Sequence, residues 1–220
     1  MPRIKALLSQ EAASAAHVHP PDQGLADVYF AGESRGGETG RNSVLFKNDL
    51  IYRHHLVRIN YTTYDVRRSQ DVINPKTPRC DVMLLANDPQ ANANHPFLYG
   101  RVLGVFHANV IYTGPGMLDY APRRLEFLWV RWFQYIGNHT VDWKDHRLDC
   151  VQFPPTASDN SFGFVDPKDV LRGCYIVPRF ARGKVHADGI GISRCADDAG
   201  DWCCYHVIRC EISYLIRDQG

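Results

Sequence analysis

The run from Phe97 to Tyr112, Phe-Leu-Tyr-Gly-Arg-Val-Leu-Gly-Val-Phe-His-Ala-Asn-Val-Ile-Tyr, constrains the fold more than any other part of the chain. It is rich in β-branched and aromatic residues, which suit a pleated, buried strand. Gly100 and Gly104 lie inside it. Glycines within a strand mark bulges or sharp coiling, as where a small barrel bends. Thr113-Gly114-Pro115-Gly116 then turns the chain. The expectation is one long, bent strand with shorter strands arranged around it.

Several segments fit that role. Leu56 to Tyr64 places Val57, Ile59, Tyr61 and Thr63 on one face. Asp81 to Leu85 is a short apolar run, followed by a polar loop from Asn87 to Pro96. In Arg124 to Phe133, Leu125, Phe127, Trp129, Arg131 and Phe133 alternate with Glu126, Leu128, Val130 and Trp132. Both sets carry apolar bulk, so both faces of that strand are expected to be covered. Phe162 to Val165 restarts extended structure, and Asp166-Pro167 reads as a cap followed by proline in the first position of a turn. Cys174 to Val177 is a short strand ended by Pro178, and Trp202 to Ile216 reads as a final strand or two. Many short strands separated by turn signals predict a mainly β fold, a small bent barrel or sandwich spanning residues 44–216.

Residues 1–43 read differently. Ile4, Leu7, Leu8, Ala12 and Ala15 form a helical stripe, Pro20-Pro21 forbids its continuation, and a Gly- and Pro-containing linker follows. Ser9, Gln10 and Glu11 break what a signal peptide would need as an apolar core. No stretch approaches the roughly 20 apolar residues of a membrane span. The seven cysteines are therefore expected to be reduced thiols in an intracellular protein. With 45% apolar and 22% charged residues the chain can bury a real core. Its net charge of +1 supplies no global field for a polyanion, so any nucleic-acid contact must be a local patch.

Three segments stand in a telling order: Tyr99-Gly-Arg-Val-Leu-Gly-Val-Phe106, Val130-Arg-Trp-Phe133, and Asp169-Val-Leu-Arg-Gly-Cys-Tyr-Ile-Val-Pro178. This order resembles the BAH (bromo-adjacent homology) domain over roughly residues 97–180. A broader run links Ile59 to Arg68, Gln70-Asp71 and Ile73-Asn-Pro75 to His95-Pro-Phe97, Gly104 to Val110, Phe162 to Pro167 and Val170 to Gly173. It is similar to the carboxy-terminal segment of proteins in mushroom-forming fungi associated with Plavaka-type transposons. From Cys203-Cys204-Tyr205-His206 onward the chain departs from that segment. The resemblance implies a domain carried by a mobile element, and the expectation drawn from it is a nuclear, non-catalytic module acting on chromatin, a histone tail or DNA. A module that tethers or regulates a transposase without touching nucleic acid is the alternative.

The resemblance also implies an aromatic cage for a methylated lysine, with Tyr99 and Trp132 at the motif positions and Tyr135 closing a wall. The plainer reading is that these rings are core. A basic patch is read from the residues themselves. Arg53, Arg58, Arg67 and Arg68 stand in a segment with Tyr52, Tyr61 and Tyr64 interleaved, the combination that grips phosphates and stacks on bases. Arg123, Arg124 and Arg131 are candidates to extend it, and neutralisation by Asp49, Asp65 or Asp71 is the competing reading. Cys195, Cys203, Cys204, His206 and Cys210 cluster near the end without a Cys-x-x-Cys pair. Adjacent Cys203 and Cys204 on a strand would face opposite ways, while Cys204 and His206 would share a face. No metal, no cofactor and no catalytic constellation is expected, since no phosphate loop, nucleophile elbow or His-Glu-x-x-His occurs.

Overall fold

The computed structural model describes residues 44–62, 67–86, 95–114, 119–136 and 148–208. The chain is mainly β, and its principal sheet is strongly curled, consistent with a small β barrel or sandwich. The expected N-terminal helix, the linker before Val44 and the chain after Ile208 lie outside the described residues.

The central strand is β5, Phe97–Tyr112, with the bounds read from its composition. One edge pairs along most of its length with β6, Arg123–Trp132. The other edge is shared. Residues 97–101 pair with β4, Asp81–Leu85, and residues 105–112 pair with β1, Val44–His54. Beyond β4 the sheet continues through β10, Val170–Pro178, β11, Tyr205–Ile208, β8, Cys150–Gln152, and β7, Gln134–Tyr135. Beyond β6 it ends in β9, Phe162–Val165. A separate hairpin pairs β2, Val57–Thr62, with β3, Arg68–Ile73.

The bend expected from the glycines is a β-bulge. Val102 pairs with Val130 and Gly104 with Trp129, so Leu103 is an extra residue on β5. Because side chains alternate with a period of two, one extra residue reverses which parity faces which side. Leu98 and Val102 point into one core before the bulge, and Val105 points into the same core after it. On the other side, Phe97 and Tyr99 serve a second core, while Ala108 and Val110 serve a third. Close approach favours glycine at both positions, most strongly at Gly104. A Cβ on Gly104 would lie 2.4 Å from the Phe106 ring, and one on Gly100 would lie 3.2 Å from the Trp132 indole.

Both faces of β6 are covered, as its composition implies: Phe127 and Leu128, adjacent and opposed, are each almost fully buried. The β2–β3 hairpin lies over the first core, contributing Ile59 and Ile73. It is pinned to β10 by Asp71, whose carboxylate accepts from Gly173 N at 3.0 Å and Arg172 Nε at 3.3 Å. The Arg172 guanidinium in turn lies 3.8 Å over the Tyr61 ring. Asp166 caps a 3-10 turn at Pro167–Asp169, accepting from Lys168 N at 2.9 Å, which matches the cap read from the sequence.

Candidate nucleic-acid interface

The outer face of the hairpin follows from its register. Arg58 pairs with Val72, Asn60 with Gln70, and Thr62 with Arg68. Alternation turns these six residues away from Ile59, Tyr61, Asp71 and Ile73. Arg58 and Arg68 therefore stand exposed on one face that also carries Asn60 and Gln70, joined by a 2.8 Å hydrogen bond. Among the described residues that face holds no acidic residue, and Asp65 and Tyr64 lie outside them. Asp71, a candidate to neutralise it, is turned inward to Arg172 and Gly173. Among the described residues neither Arg58 nor Arg68 has an acidic partner within 4 Å. Arg67 is exposed just before β3.

Arg53 does not join this face. It sits on β1 opposite Phe106, and alternation turns it to the other side of the strand from Tyr52 and His54. The supposed extension fails as well. Arg124 is paired with Glu126 at 2.8 Å and Arg123 with Asp119 at 3.6 Å. Arg131 is buried, with Asp201 at 2.6 Å and the Phe153 ring 3.8 Å beneath it.

Beside the hairpin runs an open cleft of about 300 Å³ lined in part by His54, Arg58, Arg124 and Glu126. His54 Nε2 lies 2.5 Å from His107 Nδ1, and the exposed Tyr52 ring stacks on His107 at 4.6 Å. Burial, with Arg124 and His54 nearby, pushes the His107 pKa down. The neutral imidazole is then suited to stack and to share a proton with His54. Arg58 and His54 thus line the same cleft, and the His107 ring stacks on both His54 and Tyr52.

The aromatic cage is corrected by the same alternation. Trp132 pairs with Gly100 and packs in the first core, whereas Tyr99 packs in the second, on the opposite side of the sheet. Tyr99 is 1% and Trp132 7% exposed, so neither ring offers a face to a lysine tail. Tyr99 and Tyr135 do come together, around His95, a residue of the quoted resemblance to which no role was given. The Tyr135 hydroxyl meets His95 Nδ1, His95 Nε2 meets Asp149 at 3.0 Å, and the Tyr99 hydroxyl donates to Asp149 at 3.3 Å. His95 and Asp149 side chains are 5% and 7% exposed, and both ring nitrogens are engaged. The arrangement holds the start of β5 against the β7–β8 region.

A second buried network also escaped sequence reasoning. Asp81 pairs across strands with Arg101, and Arg101 with Arg131, whose guanidinium reaches Asp201. Arg101 contacts Asp81 at 2.8 Å and lies within 5.5 Å of the Phe133, Phe153 and Tyr205 ring centres. Burial pushes the Asp81 and Asp201 pKa values up, against the pull of these arginines. The order runs acid, arginine, arginine, acid, so each guanidinium has its own carboxylate and the charges match in number, which is what allows them inside.

The cysteines behave partly as expected. Cys203 is exposed and Cys204 buried, and Cys204 and His206 share a face with Cys150. No group of three or more His, Cys, Asp or Glu residues able to hold a metal occurs among the described residues. No helix among them is long and apolar enough to cross a membrane. No family model, curated protein or solved structure matches the chain, and the resemblance drawn above rests on the quoted residues alone.

Proposed function

We propose that this chain is a non-catalytic interaction module, derived from a mobile element, that docks on the phosphate backbone of DNA in chromatin through the outer face of the β2–β3 hairpin. One observation carries the reading: Arg58 and Arg68 share an exposed, acid-free face without a partner among the described residues. A guanidinium left in water beside Asn and Gln donors is suited to phosphate oxygens. Tyr52 and the neighbouring histidines supply a surface on which a base can stack. The expected mode is sequence-tolerant and salt-sensitive, in a nuclear setting, with no cofactor.

The test is DNA binding by fluorescence anisotropy at several salt concentrations. Wild-type affinity should fall steeply as salt rises, because phosphate contacts release counterions. The double variant Arg58→Ala/Arg68→Ala should flatten the slope of log K against log salt by about 2, roughly 0.9 per lost contact. Affinity that is unchanged between low and moderate salt, or a variant with the wild-type slope, sinks the proposal.

A second reading has its own support. On the outer side of β10 and β11, Tyr175, Val177 and Ile208 are exposed, and Phe180 stands edge-on to Trp202 at 4.9 Å. Exposed apolar groups gathered on one face fit a protein partner, such as a transposase that the module tethers. Wild-type binding to a transposase with no response to DNA would favour this reading over the first.

A further inference from the structure

Cys150 and Cys204 meet where β8 and β11 pair. Val151 pairs with Tyr205 and Cys150 with His206. Val151, Tyr205 and Val207 point into the second core, so Cys150, Cys204 and His206 share the opposite side. The two sulfurs are 3.1 Å apart, about 1 Å beyond the covalent S–S length of roughly 2.05 Å. Two thiolates on one tetrahedral zinc, each about 2.3 Å from the metal, would stand farther apart than that.

The surroundings of the two thiols differ. Cys150 is partly exposed, with His206 Nδ1 at 3.6 Å and Arg179 Nη1 at 4.0 Å. A neighbouring imidazole can take the thiol proton, and a guanidinium favours the sulfur anion. Cys204 is 4% exposed, and burial, together with its contact to Cys150, pushes its pKa up to about 11. Among the described residues Cys80 and Cys174 are buried and Cys195 and Cys203 are exposed. One accessible thiol beside a cation and a buried thiol within reach make a nucleophile and its resolving partner.

We propose that Cys150 and Cys204 form a redox site that hydroperoxides convert reversibly to a disulfide. The Cys150 thiolate, its proton passed to His206, attacks the distal oxygen of hydrogen peroxide. The O–O bond breaks, water leaves with the returned proton, and Cys150 becomes a sulfenic acid. The Cys204 sulfur then attacks Cys150, the S–S bond forms, and the sulfenic oxygen departs as a second water with the Cys204 proton. Two thiols are oxidised and one peroxide is reduced, with two waters formed. A thiol reductant reverses the step by exchange.

The experiment treats the reduced full-length chain with one equivalent of hydrogen peroxide. It then alkylates under denaturing conditions and maps the products by mass spectrometry. The intact mass should fall by about 2 Da for the two hydrogens lost, with Cys150 linked to Cys204. The oxidised chain should melt roughly 10 °C higher, and dithiothreitol should abolish the difference. Cys204→Ala should trap a dimedone-reactive sulfenic acid on Cys150, whereas Cys150→Ser should leave Cys204 unlabelled. Alkylation of Cys150 and Cys204 after peroxide at the level of the untreated reduced chain overturns the proposal, as does a disulfide between other cysteines. A chain purified with one bound zinc that shields both thiols overturns it too. The wild-type mapping stands even if a variant fails to fold.

Discussion

Two sets of arginines in this molecule stand in contrast, and the contrast separates structure from candidate function. Arg101, Arg131 and Arg172 each have a carboxylate within hydrogen-bonding reach and an aromatic ring under the guanidinium. Arg58 and Arg68 have neither among the described residues and face water. The first group consists of charges that were taken inside only because a partner and a π-face replace their hydration. The second keeps its hydration and so remains available to an anion from outside. A net charge near zero hides this division, because Asp81, Asp201 and Asp71 serve the first set while the described hairpin face carries no acid.

The sharpest way to break the contrast is to treat a buried arginine as if it were exposed. Arg131→Ala should destabilise the fold by about 3–5 kcal/mol in urea titration, because Asp201 is left charged and dry. Asp201→Asn in the same chain should recover part of that loss. Asp71→Ala removes the acceptor for Arg172 and Gly173 and should cost about 2 kcal/mol, loosening the hairpin from β10. A wild-type value for either variant would place these arginines with the exposed group.

A subtler effect concerns Asp169, whose pKa burial, then Asp166, pushes up to about 6. The unfolded chain releases that proton at lower pH, so the folded state holds it more tightly. Stability from this group is therefore lost as pH rises from about 4 to about 6, and the ionised form strains the fold above that. Asp169→Asn should add roughly 1 kcal/mol at pH 7 and nothing at pH 4. Equal gains at both pH values would show that ionisation is not the cause. Smallest of all, Arg58→Ala and Arg68→Ala should each shift stability by less than about 0.5 kcal/mol. A larger loss would mean these residues belong to the fold and not to a binding face.

Much of the scaffold was legible in the sequence because it is local. The β5 run, its bulge, the doubly covered β6, and the Asp166 cap all follow from patterns within a few residues. The side of β2 that carries Arg58 also follows from alternation alone. Other strands were silent. β3 reads Arg-Ser-Gln-Asp-Val-Ile and acquires its identity only by pairing with β2. In β1, Asn48 and Asp49 have φ values of 61° and 52°, a left-handed interruption that breaks the strand pattern. The cage failed for a different reason. Tyr99 and Trp132 occupy plausible motif positions, yet whether two rings share a side depends on the register between β5 and β6. The links Arg131–Asp201, Asp71–Arg172 and Cys150–Cys204 join residues far apart in sequence, and no local pattern announces them.

The divided edge of β5 sets the order in which the molecule can be made. As the chain leaves the ribosome, β2 and β3 can close on each other at once. β1 must wait for residues 105–112 and β4 for residues 97–101. For that interval two strands travel with bare backbone donors and acceptors, open to the wrong neighbour. The hairpin strands are thus the first to find their partners, but the core they cover and the β10 anchor of Asp71 arrive only after β5.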